Sequence, residues 1–157
     1  MMHGFVVAAI TVAVVALSPP APVTARLPSL QTIARFADFP PAIRDGHFTV
    51  DGTNADGWAM AEPGGAFSAT DVPVSGAPGR RLIFGACDPA LCLVHYERGG
   101  IAHFYEILAL QKKNDRWTAI WNARGATPFA DLDALRAFLA HPTAAGHWDQ
   151  QWVKGDF

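Results

Sequence analysis

The sequence has few charged residues and no large surplus of either sign. Lysine and arginine together number 12 and aspartate and glutamate number 14, which gives a formal net charge of −2 over 157 residues. A protein that binds nucleic acid through its phosphates usually carries a strong basic surplus. The composition therefore predicts no nucleic-acid partner, and the length fits one domain around one hydrophobic core.

Familiar catalytic and cofactor-binding motifs are also absent. The chain has no Gly-x-Ser-x-Gly, no Walker loop, no His-Glu-x-x-His and no Gly-x-Gly-x-x-Gly. These patterns mark a serine nucleophile, a bound nucleotide or a catalytic zinc. We therefore expect no cofactor and no metal ion, and the sequence favours a binding protein over an enzyme.

Long hydrophobic runs are absent apart from one near the N-terminus. The apolar run Phe5–Leu17 is shorter than the roughly 20 residues that a membrane-spanning helix needs. Prolines follow it, and the small residues of Val23-Thr24-Ala25 fit a signal-peptidase site. We predict that residues 1–25 are a signal peptide cleaved after Ala25, which leaves residues 26–157 as a single α+β domain. A retained membrane anchor is the alternative. The exported protein is expected to be periplasmic or secreted, with no membrane attachment after cleavage and with its oligomeric state left open.

Cysteine is rare, since Cys87 and Cys92 are the only two. An even number of cysteines in an oxidising compartment usually means pairing, so we predict a Cys87–Cys92 disulfide. A redox-active pair would have two residues between its cysteines, and two cysteines supply half the ligands of a zinc site, so the predicted role is structural. The disulfide clamps a short loop between two apolar strands, and we predict that this loop binds a protein partner. The enclosed residues are Asp88, Pro89, Ala90 and Leu91.

Short apolar runs separated by turn residues predict an antiparallel meander. Pairs such as Gly99-Gly100 and Asn114-Asp115 mark the turns. The run Ile101–Leu110 is apolar on both faces, so we expect a central strand that is covered by a helix on one side and by loops on the other. The sheet is predicted to have about five strands. The meander comprises Arg81–Ala86, Leu91–Glu97, Ile101–Gln111 and Arg116–Asn122, and candidate edge strands lie at Phe48–Val50, Trp58–Met60 and Phe67–Val74.

Two helices are predicted to pack on this sheet. Apolar residues recur at helical spacing within Pro28–Phe36. They do so again within Phe129–Leu139, where Thr127 would be the N-cap and a proline would occupy the first helical position. The predicted fold class is therefore α+β, with an N-terminal and a C-terminal helix on an antiparallel sheet. In the tail, Trp148 and Trp152 form a candidate exposed pair if a last helical turn forms.

An enzyme would depend on Glu106 with one of two histidines. Glu106 is the one carboxylate in the long apolar strand, where burial would raise its pKa and suit it to general acid or base catalysis. A two-residue turn at Gly99-Gly100 would place His95 and His103 on opposite faces of the sheet, so they would not act as a pair. A small periplasmic enzyme using Glu106 with His95 or His103 is therefore an alternative function, and a structural role for all three is the simpler interpretation.

The segment Trp58–Cys92 resembles the Ivy family, the bacterial periplasmic inhibitors of vertebrate-type lysozyme. The matching features are Trp58-Ala59-Met60, then Gly64-Gly65 with Phe67 two residues on, and then an apolar strand that leads into the cysteine loop. The family has a Trp-x-Met followed by Gly-Gly, a strand and a loop of the form Cys-Lys-Pro-His-Asp-Cys. The spacing of the cysteines and the position of the proline therefore coincide.

This resemblance implies a fold and a function. A family member is expected to have a central antiparallel sheet with helices packed against it and a disulfide-held loop that enters the active-site cleft of a lysozyme. Cys87, Pro89 and Cys92 carry over as the scaffold of that loop, and Ala90 stands where the family has its inhibitory histidine. The resemblance implies an exported binding protein of the lysozyme-inhibitor type, with a lysozyme or another peptidoglycan hydrolase as its partner. An immunity protein against a secreted toxin is an alternative that shares the export signal and the loop.

Overall fold

A computed structural model of the chain describes residues 21–50, 52–55, 57–70, 72, 74–141 and 148–152. Within them the chain forms eight strands, three α-helices and two short 3-10 turns. The strands are β1 (Gln31–Ile33), β2 (Phe48–Val50), β3 (Thr53–Asn54), β4 (Arg80–Cys87), β5 (Leu91–Arg98), β6 (Phe104–Lys113), β7 (Arg116–Gly125) and β8 (Trp148–Trp152). The helices are α1 (Ala21–Arg26), α2 (Pro41–Arg44) and α3 (Leu132–Ala140), and the 3-10 turns are Leu27–Ser29 and Phe36–Asp38. Residues 1–20 of the predicted signal peptide lie outside the described residues. Among the described residues, no helix is long and apolar enough to cross a membrane.

Four long strands form the centre of a mixed sheet. β4, β5, β6 and β7 pair antiparallel in chain order. β1 pairs antiparallel with the end of β4, and β8 pairs antiparallel with the second half of β7. β2 pairs in parallel with the start of β7 and antiparallel with β3. The α+β class is confirmed, but the sheet is mixed and larger than the simple antiparallel meander of about five strands that the turn signals predict.

The parallel pairing of β2 explains why the simple meander was wrong. It places Phe48 opposite Trp117, and both side chains are buried in the same core layer. Turn residues indicate where neighbouring strands meet, but they carry no signal for a contact between segments so far apart in the chain. Burial of two large aromatic side chains decides the pairing instead.

Two hydrophobic layers cover the two faces of the sheet. On one face α1 and α3 pack on the central strands, and Val23 and Leu135 are fully buried there. On the other face the segment that contains α2 and β2 covers the sheet, with Phe48 and Trp117 buried. Residues Glu106–Leu110 of β6 are buried without interruption, because each face of this strand has its own cover.

The predicted N-terminal helix over Pro28–Phe36 is wrong. Its residues enter a 3-10 turn and then β1, which pairs with Gly85–Cys87 of β4. An open strand edge presents unpaired backbone donors and acceptors, and satisfying them outweighs a modest helix propensity. The predicted cleavage site after Ala25 falls inside α1, where Val23 is fully buried. Cleavage there would remove a core side chain, and the site of cleavage stays a prediction.

The C-terminal helix forms, with a different N-cap from the one predicted. α3 begins at Leu132 because the Asp131 carboxylate accepts a hydrogen bond from the Ala134 N–H at 2.8 Å. Asp131 therefore takes the capping role assigned to Thr127. The apolar stripe of the helix is buried against the sheet, as its spacing predicts.

The tail tryptophans lie in β8 and not in a helical turn. The Trp148 ring stacks on Phe129 with 4.8 Å between ring centroids, and its side chain is half-buried. Trp148 packs on the core layer under α3, so the prediction that it belongs to an exposed pair is wrong. The side chain of Trp152 lies outside the described part of the structure.

Two of the candidate edge strands do not form. No strand occurs in the described residues of Trp58–Met60 and Phe67–Val74. A single parallel bridge between Ala61 and Arg81 joins this region to β4. The turn at Gly64, with φ of 76°, requires a left-handed conformation that glycine adopts without strain, and it interrupts any longer strand.

The loop between β5 and β6 is longer than the predicted two-residue turn. β6 begins at Phe104, so residues 99–103 connect the strands, and Tyr96 lies opposite Glu106. Gly99 anchors the loop, because its N–H donates to the Gly79 carbonyl at 3.1 Å. A Cβ atom at Gly99 would lie 1.9 Å from the Ser68 carbonyl oxygen, so the backbone of a neighbouring segment occupies that space.

Gly99→Ala is expected to lower the free energy of unfolding by about 2 kcal/mol, because the added methyl group must displace backbone. Gly79→Ala is the matched control, since no atom of the described residues lies within 4 Å of its Cβ position, and we expect a change within about 0.5 kcal/mol. Urea denaturation of both variants measures the difference. Equal stability of the two variants would contradict the close packing at Gly99.

Candidate functional site

The predicted disulfide is present and closes the turn between β4 and β5. Cys87 and Cys92 are direct cross-strand partners with 4.1 Å between their Cα atoms. The described part of the chain holds no free cysteine and no cluster of three potential metal-ligating residues. The cysteine pair therefore acts as a clamp on a tight hairpin.

The Asp88 carboxylate holds this loop from inside. Its Oδ1 accepts hydrogen bonds from the backbone N–H groups of Ala90 at 2.7 Å and Leu91 at 2.8 Å. Its Oδ2 accepts from the Arg26 guanidinium at 2.8 Å and the Ser29 hydroxyl at 3.0 Å. Only 5% of the Asp88 side chain is exposed. Asp88 therefore shapes the loop and ties it to the N-terminal segment.

These hydrogen bonds determine the charge of Asp88. Burial by itself raises the pKa of the carboxyl group, but the hydrogen bonds from Ala90, Arg26, Leu91 and Ser29 together outweigh it. The pKa of Asp88 lies below its ordinary value of 3.8 as a result. The loop is thus stabilised by an ionised carboxylate over the whole neutral range.

Two of the four predicted partner-binding residues face the protein interior. The Leu91 side chain is fully buried in the core layer beneath α3, and the Asp88 side chain is turned inward. Ala90 is half-buried, and its carbonyl accepts a hydrogen bond from the Lys112 N–H at 2.8 Å. Pro89 is exposed. The surface that this loop offers to a partner is therefore its tip at Pro89 and the exposed part of Ala90.

Glu106 is buried and engaged by neighbouring side chains. The Tyr96 hydroxyl donates to Oε2 at 2.5 Å, and Arg124 contacts Oε1 through Nε at 3.0 Å and Nη2 at 2.9 Å. Arg98 lies 3.8 Å from the same oxygen. Burial, followed by the charge of the adjacent Glu106, raises the pKa of Tyr96, so the phenol stays protonated and donates. Both carboxylate oxygens of Glu106 thus have partners.

His95 lies on the opposite face of the sheet from the Glu106 carboxylate. Its Nε2 accepts a hydrogen bond from the Phe129 N–H at 3.0 Å. Nδ1 therefore carries the proton and donates to the backbone carbonyl of Glu106 at 2.9 Å. Burial lowers the pKa of His95 to about 4, so the fully buried ring is neutral at neutral pH. The imidazole ties the segment before α3 to the sheet.

His103 pairs with a different carboxylate. Its Nε2 donates to Oε2 of Glu97 at 2.8 Å, and the Arg81 guanidinium donates to the other oxygen of Glu97. Glu97 is buried, and it shares the face of His95 because the two lie two residues apart on β5. The structure therefore brings neither His95 nor His103 to the Glu106 carboxylate.

Sequence reasoning missed the arginines around Glu106. Arg98 and Arg124 flank its carboxylate from the neighbouring strands β5 and β7. Their position beside Glu106 follows only from the correct pairing of the strands. The predicted two-residue turn gives a wrong register, which places other side chains next to Glu106. The pairing of Glu97 with His103 was missed for the same reason.

No family model matches the chain, and no similar protein was found among curated proteins or among solved structures. The resemblance to the Ivy family rests on the motif residues of Trp58–Cys92. In the structure Trp58 makes edge-on contacts with Phe48 and Tyr96, at 5.0 and 5.5 Å between ring centroids. Met60 is buried in the same core layer. These motif residues support the sheet on which the cysteine loop is carried.

Proposed function

We propose that this chain is an exported binding protein of the lysozyme-inhibitor type, which binds a peptidoglycan hydrolase through the tip of the Cys87–Cys92 loop. One observation carries the proposal: the loop is fixed in shape before any partner arrives. The disulfide closes its base, and the Asp88 carboxylate accepts two hydrogen bonds from the loop backbone and two from Arg26 and Ser29 outside the loop. A loop that is already ordered loses little conformational entropy on binding, so its contacts convert more fully into affinity.

The tip suits insertion into a cleft. Pro89 is exposed and has a restricted backbone, and Ala90 beside it is small. Neither residue carries a charge that would need a partner group inside the cleft. We therefore expect binding through this tip to depend on shape and apolar contact. The Ivy-family loop, by contrast, presents a histidine at the position of Ala90.

The arrangement of Glu106 supports a binding protein over the enzyme alternative. A general base must reach a substrate proton, and Glu106 is buried, with its two oxygens accepting hydrogen bonds from Tyr96 and Arg124. His95 has both ring nitrogens in hydrogen bonds within the core.

The disulfide is consistent with an oxidising compartment, and we propose that the exported protein acts in the periplasm or outside the cell.

Affinity capture tests the proposed partner class. The exported protein is immobilised and exposed to periplasmic extract, in parallel with a Cys87→Ser/Cys92→Ser double variant that lacks the clamp. We expect a peptidoglycan hydrolase among the proteins retained by the wild type, and a marked loss of it with the double variant. Capture of a secreted toxin in its place would contradict the hydrolase proposal and favour an immunity protein. Equal capture by both forms would contradict the role of the clamped loop.

A further inference from the structure

Three arginines share one face at the end of the sheet opposite the cysteine loop. Arg80 of β4 and Arg98 of β5 are direct cross-strand partners. Arg124 of β7 lies opposite Glu106 of β6, on the face that also carries Tyr96. Direct partners on neighbouring strands share a face, and like charges in such positions destabilise a sheet. The pairing of Arg80 with Arg98 is therefore unfavourable unless an anion lies between or beside them.

Glu106 supplies part of that negative charge and leaves a positive remainder. It contacts Arg124 closely and Arg98 at 3.8 Å. Arg80 stacks on the Trp58 ring at 4.9 Å, and its buried Nε has no hydrogen-bond partner among the described residues. Three guanidinium groups against one carboxylate give a surplus of two positive charges among the side chains that the structure describes. The count leaves out Asp149, whose backbone lies opposite Arg124 and whose side chain is not described.

An open pocket of about 390 Å³ lies beside two of these arginines, Arg98 and Arg124. Arg98 and Arg124 contribute to its lining together with the Phe104 ring, and Arg124 stacks over that ring at 4.9 Å. The loop after β5 completes the lining, and within it Ile101 is 98% exposed. The volume falls within the range of about 300–1,000 Å³ that is typical of small-molecule sites. The pocket thus combines two cations with an aromatic and an aliphatic surface.

We propose that this pocket binds a small organic anion whose carboxylate or phosphate group lies against the pocket side of the Arg98 and Arg124 guanidinium groups. Guanidinium groups form parallel, charge-assisted hydrogen bonds to such oxyanions. The apolar part of the ligand packs on Phe104 and Ile101, a large aliphatic side chain that the fold leaves in solvent. The site lies about 20 Å along β5 from the cysteine clamp. The proposed anion site is therefore independent of the proposed hydrolase binding, and an experiment can contradict one proposal without contradicting the other.

Binding of small probes by calorimetry tests the site. The probes are phenyl phosphate, benzoate, inorganic phosphate and, as the cationic counterpart, benzylamine. We expect phenyl phosphate or benzoate to bind with a dissociation constant of about 1 mM or below, and the better of the two identifies the headgroup. Inorganic phosphate should bind several-fold more weakly because it lacks the apolar part, and benzylamine should not bind. No saturable binding of either aromatic anion up to about 10 mM would overturn the proposal.

Two variants separate an anion site from a purely structural cluster. Arg98→Gln should weaken binding of the better probe by at least about fivefold, and Arg44→Gln should leave it unchanged because Arg44 pairs with Asp45 at 3.1 Å outside the pocket. Glu106→Gln keeps one oxygen that accepts from Arg124, and its NH2 group can donate to the Tyr96 hydroxyl oxygen, but it removes the competing negative charge. It should therefore tighten binding about fivefold, measured where circular dichroism shows the variant folded. Unchanged affinity in Arg98→Gln, or weaker binding in Glu106→Gln, would overturn the proposal.

Discussion

Asp88→Ala is expected to lower the free energy of unfolding by about 3 kcal/mol at pH 7. The carboxylate accepts two backbone N–H groups of the loop and the side chains of Arg26 and Ser29. Alanine leaves the loop donors without an acceptor and detaches the N-terminal segment from the end of the sheet. Hydrogen bonds to charged groups are each worth more than neutral ones, so the loss exceeds that of an ordinary surface substitution.

Chemical denaturation with two controls checks this result. Asp88→Asn keeps one acceptor oxygen and should lose less stability than Asp88→Ala, and Asp115→Asn changes a carboxylate that is 96% exposed and should lose almost none. Because the pKa of Asp88 is lowered in the folded protein, its contribution to stability is present above the ordinary value of 3.8 and is lost as the pH falls through the folded value. The difference between wild type and Asp88→Ala should therefore shrink in acid. A loss below about 1 kcal/mol at pH 7 would contradict the role assigned to Asp88.

Acidification from pH 6.5 to pH 4 is expected to destabilise the wild type by up to about 3 kcal/mol through His95 alone. The folded pKa of His95 is about 4, against an ordinary value of 6.5. Between these values the unfolded chain binds a proton that the folded chain excludes, so stability is retained above pH 6.5 and falls as the pH decreases. The physical cause is the burial of a ring whose two nitrogens already have partners.

His95→Gln isolates this contribution. Glutamine cannot take up the proton, so the variant should show a smaller fall in stability over the same pH window, although it is less stable at pH 7 because it loses ring contacts with Phe84 and Phe129. Urea denaturation at several pH values measures both effects. The same dependence on pH in the wild type and the variant would contradict a neutral, buried His95.

Secondary structure was most predictable where it is determined by segments that are close together in the sequence. Turn residues and apolar runs located β4, β5, β6 and β7 to within a few residues, because an antiparallel hairpin is specified locally. The apolar spacing also located α3. By contrast, β1 and the parallel pairing of β2 depend on open strand edges and distant aromatic partners. A local pattern contains no information on either.

The cysteine clamp was predictable and the surroundings of Glu106 were not. A two-residue turn would place Tyr96 opposite His103, whereas the real loop places it opposite Glu106, three residues along. A shift by an odd number of residues moves every side chain of one strand to the other face. The predicted turn would therefore put Glu106 on the face of His95, and the real loop puts it beside Arg98 and Arg124. The missed arginines therefore trace to the length of one loop.

The orientation of Asp88 and Leu91 was likewise outside the reach of sequence patterns. Between two cysteines, a carboxylate and a leucine are both plausible contacts for a partner. Asp88 instead accepts hydrogen bonds from Arg26 and Ser29, which are remote in the chain, and Leu91 fills the core. The partner-binding role of this loop stays a prediction, and it is now confined to the tip at Pro89 and Ala90.

Titration of purified peptidoglycan hydrolases, a C-type lysozyme among them, into variants of the loop tip tests the central claim most directly. Pro89→Arg adds a long charged side chain at the exposed tip, and Pro128→Arg makes the same change at an exposed proline beyond the other end of the sheet. We expect at least one hydrolase to bind the wild type and Pro128→Arg equally, and to bind Pro89→Arg at least about tenfold more weakly. Binding that is unchanged in Pro89→Arg, or absent for every hydrolase with the wild type, would contradict the claim.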